Sequence, residues 1–408
     1  MKSKSNRGFE EMENRGTLPA GDAEARSAYL IEKRRALHRC PEVGFELPKT
    51  RALIEQWLDE MGVAHTRGYG ESSVVGMIGR RADAPVIAVR ADMDALPVEE
   101  KTGLPFASAH PGHMHACGHD AHMAMLLGAA RTLKPLEDAL PFRLKLIFQP
   151  SEEGAVSGAK MMLDNGVLDD VDYVLCAHVT GDFEAGAAAY ARGAVCSACT
   201  PIEIQFRGKT SHATIPQMGC DALAMMFKTY SGIQLMLSRQ VDPFEPVVCS
   251  VGVAGGGEVH NVICDRAHMK ISLRTYRQEL NDFALARIRL LAGHAAEEMG
   301  GTADFEAHMS APAVVNDDFL VDCLLAAGDR VLGHGQIVER RPLMSSDDFA
   351  WFAQAKPSLY YWLGVGSPAW PKTALHNNDF MLDEKALLPG ETLLIAMLYE
   401  IAESSRAQ

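Results

Sequence analysis

Three short apolar segments, each running into polar residues, constrain the fold of this chain more than any other feature. They read PVIAVRADMD (85–94), RLKLIFQPSEEG (143–154) and DYVLCAH (172–178). Apolar runs of this length without strict polar alternation are typical of strands buried in an α/β sheet. We predict that the strands end near Asp92 and Asp94, near Glu152 and Glu153, and at His178. Acids and imidazoles would then meet at one edge of a sheet, where α/β proteins bind their ligands.

The pattern of predicted helices and strands changes near residue 188 and again near residue 310, which indicates two domains. Helical spacing alternates with the apolar strands up to about residue 187, whereas shorter alternating strands and two helices, near 221–237 and 281–299, follow. We predict an α/β domain made of residues 22–187 and 310–408, with a mixed central sheet flanked by helices. A smaller α+β domain at 188–309 interrupts it. The polar start, residues 1–21, predicts a disordered tail.

Composition excludes several classes of protein. A formal net charge of −14 argues against a nucleic-acid partner, which would favour a basic face. No apolar run is long enough for a membrane span or a signal peptide, so we expect no membrane partner. Nine scattered cysteines, an odd number, are typical of a reducing compartment and predict a cytoplasmic protein. The CxxC spacing of Cys196 and Cys199 has no second pair to complete a structural zinc site, and we interpret it as coincidence.

The segment HACGHD, residues 115–120, combines a thiol and an imidazole at a spacing of two. Side chains two apart diverge in a helix, so Cys117 and His119 can converge only if Gly118 between them makes a turn. Alone, each would be interpreted as a buried core residue. Together they predict a metal site, because thiolate and imidazole suit zinc and related ions.

Adjacent glutamates follow the second strand. Consecutive glutamates are commonly a solvated pair, but Glu152 and Glu153 lie between Pro150 and Gly154, in a predicted tight turn at a strand end. Unpaired carboxylates would be costly there. Adjacent carboxylates can divide the work, since one can bind a metal while the other accepts a proton from water.

Three further histidines are ambiguous by themselves. His178 and His376 each follow an apolar stretch and could equally be structural core residues. His212, in RGKTSHATIP, is predicted to lie on a loop of the smaller domain, where an isolated histidine usually has no function.

Eight segments, taken in order, resemble a known family. The family is the co-catalytic metallopeptidase superfamily of aminoacylases and carboxypeptidases, and the similarity is to its amidohydrolase branch of hippurate hydrolases, N-acyl-amino-acid amidohydrolases and auxin-conjugate hydrolases. The resemblance covers about residues 25–400. The matching segments are RRALHRCPEVGFE (34–46), VRADMDALPVEE (89–100), MHACGHDAHMAMLLGAA (114–130), FQPSEEGA (148–155), GKTSHATIP (208–216), GGGEVHNVICD (255–265), SSDDFA (345–350) and LHNNDF (375–380).

The resemblance implies a catalytic α/β domain and a smaller lid and dimerisation domain. It implies two divalent metal ions that share a water, with zinc or manganese favoured and nickel or cobalt as alternatives. The implied metal ligands are Cys117, His119, Glu153, His178 and His376.

The resemblance also implies roles for other residues. Glu152 would be the general base and His212 would stabilise the oxyanion. Asn261 and Arg274 would bind the substrate. Asp94 would support the site from behind the ligands, whereas Asp92 stands where the peptidase branch has a metal histidine, and its role is open.

The resulting hypothesis is a dimeric metal-dependent hydrolase that cleaves the amide bond of N-acyl amino acids or related small conjugates. A dipeptidase or carboxypeptidase is the nearest alternative, and a non-catalytic binding protein is a second one. The chain departs from the branch pattern at VTGDFEAG (179–186), GKTSHATIP (208–216), NVICD (261–265) and LHNND (375–379). These departures leave the acyl group and the amino acid of the substrate undetermined.

Overall fold

A computed structural model of the chain describes residues 23–369 and 372–406. The tail predicted for residues 1–21 lies outside the described residues. The described chain forms two compact units. The first contains the residues up to Val195, the segment Val315–Arg341 and the residues from Asp348 onward, and the second contains Cys196–Val314 and Pro342–Asp347.

The first unit contains seven α-helices in its described residues. Their bounds are α1 Ala23–His38, α2 Pro48–Glu60, α3 His119–Leu133, α4 Gly158–Asp164, α7 Asp318–Val331, α8 Ala350–Ala355 and α9 Leu387–Ser404. The second unit contains α5 Ala222–Gln240 and α6 Gln278–Met299. Short 3-10 helices span Lys134–Leu136, Pro216–Met218 and Glu384–Ala386.

The sheet of the first unit has eight strands and is mixed. Its strands are β1 Ala64–Thr66, β2 Val74–Ile78, β3 Val86–Asp92, β4 Arg143–Gln149, β5 Tyr173–Glu184, β6 Ala188–Tyr190, β13 Ile337–Glu339 and β14 Ser358–Gly366, in the order β1-β2-β4-β3-β5-β14-β6-β13. The four central strands β4, β3, β5 and β14 are parallel to one another, whereas β2 joins β4 in antiparallel fashion. This arrangement confirms the predicted α/β class with a mixed central sheet.

The three apolar segments of the sequence form the buried centre of this sheet. Every residue of β3 is buried, and so are six of the seven residues of β4. Side chains from helices α3, α7 and α9 join the sheet in one large apolar core. Burial on both faces explains why these strands lack polar alternation.

One predicted boundary is wrong. Strand β5 does not end at His178 but continues for six residues, to Glu184. It pairs with β14 continuously from Val174 to Thr180 and again, after a register shift, at Glu184, so the partner strand extends the ladder after the apolar run has stopped. The last four residues of β5 are no longer buried, which is why the sequence there is polar.

The second unit is an antiparallel sheet covered by two helices. Strands β8 Ala198–Arg207, β9 Val247–Gly256, β10 Arg266–Thr275 and β11 Thr302–Ala307 lie in the order β11-β8-β10-β9. Alternate residues of β8 and β10 are buried in a core with helices α5 and α6. The remaining strands, β7 Gly193–Cys196 and β12 Val314–Asn316, form a two-stranded sheet, and most of their residues belong to the first unit. Among residues 23–369 and 372–406, no helix is both long and apolar enough to cross a bilayer.

Candidate metal centre

The ends of two parallel strands place acidic residues next to one another. Asp92, the last residue of β3, lies opposite Gln149, the last residue of β4. Asp94, two residues farther along, accepts the backbone N–H groups of Glu152 and Glu153 on its two carboxylate oxygens, each at 3.0 Å. The prediction that these strand ends converge is confirmed. A buried carboxylate therefore fixes the turn at residues 151–154, which we call the SEEG turn.

A left-handed glycine lets Cys117 and His119 converge. Gly118 has φ +84° and directly precedes helix α3. A Cβ at this position would lie 2.3 Å from Cγ2 of Val179, so the chain passes against strand β5 where only glycine fits. The turn predicted at Gly118 is confirmed.

All five residues predicted as metal ligands lie together in the first unit. Ligand atoms of Cys117, His119 and Glu153 are within 4.8 Å of one another. The Nε2 atom of His178 is 3.5 Å from the sulfur of Cys117. The Nε2 atom of His376 is 3.0 Å from a carboxylate oxygen of Glu153.

The ligands arrive from separate parts of the chain. His376 has a positive φ of 68° and its backbone N–H donates to the carbonyl of Ala116, which holds its loop against HACGHD. Its side chain is 52% exposed, whereas Cys117, His119 and His178 are buried. The cluster therefore has a closed side within the protein and an accessible side at His376.

Hydrogen bonds determine which ring nitrogen of two histidines points into the cluster. Nδ1 of His119 donates to the carbonyl of Asp94 at 2.7 Å, and Nδ1 of His178 donates to the carbonyl of Val179 at 2.8 Å. Only an N–H can donate to a carbonyl, so both Nε2 atoms keep a lone pair. Nε2 of His119 has no hydrogen-bond partner among the described residues.

Acceptor atoms face one another around His119. Its Nε2 lies 3.4 Å from an Asp92 oxygen and 3.9 Å from a Glu152 oxygen. A lone pair facing two carboxylates is unfavourable unless a cation lies between them. The mixed donors of sulfur, nitrogen and oxygen are those of zinc and neighbouring transition ions, so the residues present fit a metal site.

The electrostatics of the cluster also favour a cation. Burial, followed by the carboxylates of Glu153 and Glu152, raises the pKa of the Cys117 thiol well above its ordinary value. Burial also raises the pKa of Asp94 well above its ordinary value, despite the two N–H groups that it accepts. For Glu153, burial is outweighed by the hydrogen bond from His376 and by nearby imidazoles, so its pKa is lowered. A divalent ion would stabilise the thiolate that this acidic surrounding disfavours.

Three other predicted residues lie in the second unit. His212 lies on an exposed loop, and its Nδ1 accepts hydrogen bonds from the backbone N–H and hydroxyl of Thr214. The carbonyl of Asn261 accepts the N–H of Ala213, which brings Asn261 beside the His212 loop. Arg274, on β10, donates to the hydroxyl of Ser272 and to the segment 344–346.

The sequence reasoning missed the residues that surround Asp92. His122 donates to one Asp92 oxygen at 2.6 Å, and Arg90 donates to the other at 2.6 Å. Arg90 in turn donates to Gln149 and Asp348, and all these side chains are buried. The i, i+3 spacing of His119 and His122 on α3 was an available signal, because such residues share a helix face. Nothing in the local sequence links Arg90 with Asp348.

Comparison with known proteins identifies the family. Residues 88–400 match the model of peptidase family M20/M25/M40. N-acetylcysteine deacetylase from Bacillus subtilis is 35% identical over 88% of this chain and 93% of its own length. IAA-amino acid hydrolase ILR1-like 4 from Arabidopsis thaliana is 34% identical over 90% of this chain and 84% of its own length.

A solved structure supports the same assignment. A dinuclear metal-binding peptidase of family M20 from Bacillus subtilis superimposes with a TM-score of 0.82 and 31% identity, over 93% of this chain and 99% of that one. The prediction of a metal-dependent hydrolase is thereby confirmed. The chain belongs to peptidase family M20/M25/M40.

Proposed function

We propose that this protein hydrolyses the amide bond that joins an acyl group to an amino acid. The observation that carries the proposal is the cluster of Cys117, His119, Glu153 and His178 beside Glu152, in a chain of this family; the thiol and the two imidazoles are buried. Two relatives, named for N-acetylcysteine deacetylation and for IAA-amino acid hydrolysis, support an N-acyl amino acid as the substrate.

The proposed cofactors are two divalent metal ions, held by Cys117, His119, Glu153, His178 and His376. Zinc or manganese is favoured, and nickel and cobalt are the alternatives. Bound ions would lower the pKa of a coordinated water and polarise the amide carbonyl.

Glu152 is proposed as the general base. Its neighbour Glu153 is engaged by His376, and a Glu152 oxygen lies 3.9 Å from Nε2 of His119. The Glu152 backbone is fixed by Asp94, so its side chain is presented on a rigid turn. Glu152 accepts the proton of the attacking water and then delivers it to the departing amine.

His212 is proposed to stabilise the oxyanion. Because its Nδ1 accepts from Thr214, the neutral ring carries its proton on Nε2, which leaves an N–H donor. Asn261 and Arg274 are proposed to bind the carboxylate or carbonyl oxygen of the substrate, and a guanidinium suits a carboxylate especially well. The second unit would then act as the lid, as predicted for residues 188–309.

The second unit is also proposed to form a homodimer. Strand β9 is an edge strand of its sheet, and edge strands readily pair with another chain. Helix α5, which packs over this sheet, exposes Phe227 (62%), Tyr230 (43%) and Leu235 (63%). Size-exclusion chromatography with light scattering tests this. Phe227→Glu should yield monomer, and the matched surface variant Val338→Glu should not.

A cytoplasmic location is proposed because the cysteines form no disulfide bonds. None of the nine takes part in a disulfide bond, and seven are buried. Free thiols persist in reducing compartments.

The proposed activity is tested with a substrate panel and a matched pair of variants. N-acetyl, N-benzoyl and indoleacetyl amino acids are compared with dipeptides, each with zinc, manganese, nickel and cobalt. We expect kcat/KM to favour an acyl amino acid. Glu152→Gln should lower kcat by roughly 100- to 10,000-fold with little change in metal content, as loss of a general base does. The exposed Glu71→Gln variant should behave as wild type.

Two outcomes would redirect the proposal. Preferential cleavage of dipeptides would favour a peptidase activity. Unchanged turnover by Glu152→Gln would show that Glu152 is not the base.

A further inference from the structure

His122 is a buried histidine, 4% exposed, whose two ring nitrogens both have protein partners. Its Nε2 accepts the backbone N–H of Val179 at 2.9 Å, and its Nδ1 lies 2.6 Å from an oxygen of Asp92. It lies on helix α3 one turn after His119. Four residues, Asp92, His119, His122 and His178, have ligand atoms within 4.8 Å of one another, so His122 could be mistaken for a metal ligand.

The hydrogen bonds assign the proton of this ring. A backbone N–H can only donate, so Nε2 of His122 must be the acceptor and Nδ1 must carry the hydrogen given to Asp92. The neutral ring therefore has no lone pair left for a cation. His119 differs, because its Nε2 has no hydrogen-bond partner among the described residues.

The backbone of Val179 links His122 to a proposed ligand. Its N–H is held by His122, and its carbonyl accepts Nδ1 of His178 at 2.8 Å. That second bond turns Nε2 of His178 towards the cluster, 3.5 Å from the sulfur of Cys117. A shift of the Val179 backbone would therefore rotate the His178 ring.

Asp92 is itself rigidly held. Arg90 donates to its second oxygen, to Gln149 at 2.8 Å and to Asp348 at 3.0 Å. Gln149 also donates to Asp348, so the last residue of β4 and a residue two positions before α8 hold the same guanidinium. A braced carboxylate keeps the hydrogen of His122 on Nδ1, as carboxylates behind metal-site histidines do.

We infer that His122 is a positioning residue, which Asp92 fixes in one tautomer and which orients His178 through the backbone of Val179. The inference rests on the proposed function, specifically on His178 being a metal ligand. It also gives Asp92 a role, as the partner that selects the tautomer of His122.

Two conservative variants separate positioning from ligation. In His122→Gln, the amide oxygen can occupy the place of Nε2 and still accept the Val179 N–H. In His122→Asn, the shorter amide can occupy the place of Nδ1 and reach Asp92, but it cannot reach Val179. Metal affinity is measured by competition with a chelator, and the absorption spectrum of the cobalt-loaded protein reports ligand geometry.

We expect His122→Gln to bind both ions within about threefold of wild type, with an unchanged cobalt spectrum. We expect His122→Asn to bind one of the two ions about 10- to 100-fold more weakly, with an altered spectrum, as loss of a partner behind a ligand does. Equal losses in the two variants, or a loss in neither, would overturn the inference. Urea unfolding of the metal-free proteins verifies that both variants fold.

A separate variant tests whether His178 is a metal ligand, on which the inference rests. His178→Ala should remove one ion from the protein. If it keeps both ions at wild-type affinity, the proposed ligand set is wrong. If it loses an ion while both His122 variants bind alike, only the positioning role is wrong.

Discussion

Replacing Gly118 with alanine tests the turn that brings Cys117 and His119 together. The position has φ +84°, and an added Cβ would lie 2.3 Å from Cγ2 of Val179 and 3.7 Å from Phe380. Only the first distance is shorter than a normal contact. The substitution therefore adds two costs, one for the backbone conformation and one for the overlap with a buried side chain.

The two costs can be estimated separately. A left-handed conformation costs an L-residue about 1–2 kcal/mol. Overpacking a well-packed core costs about 1–3 kcal/mol. Gly118→Ala should thus lower the free energy of unfolding by about 2–5 kcal/mol. Because the overlap moves the chain between two proposed ligands, metal affinity should fall as well.

Matched variants distinguish the two costs. Gly62→Ala has a similar φ of +67° with nothing within 4 Å of the added Cβ, so it should show the backbone cost alone. In the double variant Gly118→Ala/Val179→Ala the overlapping methyl group is gone. The two changes should therefore be non-additive, with about 1–3 kcal/mol recovered relative to the sum of the single changes.

The assay is urea unfolding of the metal-free protein followed by circular dichroism, with metal affinity measured in parallel. The reasoning fails if Gly118→Ala costs no more than Gly62→Ala. It also fails if the double variant is as unstable as the sum of the single changes.

Three further predictions concern metal, pH and the SEEG turn. Removing metal with a chelator should lower the free energy of unfolding by about 2.7 kcal/mol, relative to protein with free metal at 100 times the dissociation constant. Calorimetry can measure this difference. An unchanged melting temperature would argue against a bound ion. For His38, burial disfavours the imidazolium, but the charge of Asp120 and the hydrogen bonds to Asp120 and Glu100 outweigh burial and the nearby Arg34, so its pKa is raised. The contribution of His38 to the free energy of unfolding should be complete below about pH 6.5 and should be lost as the pH rises through the raised pKa, with a slope of at most about 1.4 kcal/mol per pH unit. In urea titrations, His38→Gln should flatten this pH dependence. An identical pH profile in the variant would contradict the prediction. Asp94→Asn removes one of the two acceptors of the turn amides and should cost about 1–3 kcal/mol of stability, whereas wild-type stability would show that the turn does not depend on this carboxylate.

Much of the first unit was predictable because its signals are local. The apolar runs that form β3 and β4 are buried on both faces, so their sequence alone marks them as central strands. Gly118 was predictable for a similar reason, since a spacing of two between Cys117 and His119 demands a turn. Ordered motifs over most of the chain indicated the family, which the match over residues 88–400 confirms.

The end of β5 was not predictable from local signals. After His178, residues Val179, Thr180 and Glu184 pair with β14, about 180 residues later in the sequence, with a register shift between the last two pairs. The polarity of the last four residues reflects their partial exposure and says nothing about the hydrogen bonds of the backbone. A partner strand can extend a ladder wherever its own backbone groups are available.

The sequence by itself determined the fold class, the family and which residue types are available for a metal centre. The roles of the individual ligands remain predictions. Only the tertiary structure decided which histidines have a ring nitrogen available for a metal. A ring nitrogen that accepts a backbone N–H, as in His122, cannot also bind a cation. The structure also linked Asp92 to Asp348 through Arg90. Such links depend on distances between segments remote in the chain, and residue spacing along the sequence does not contain them.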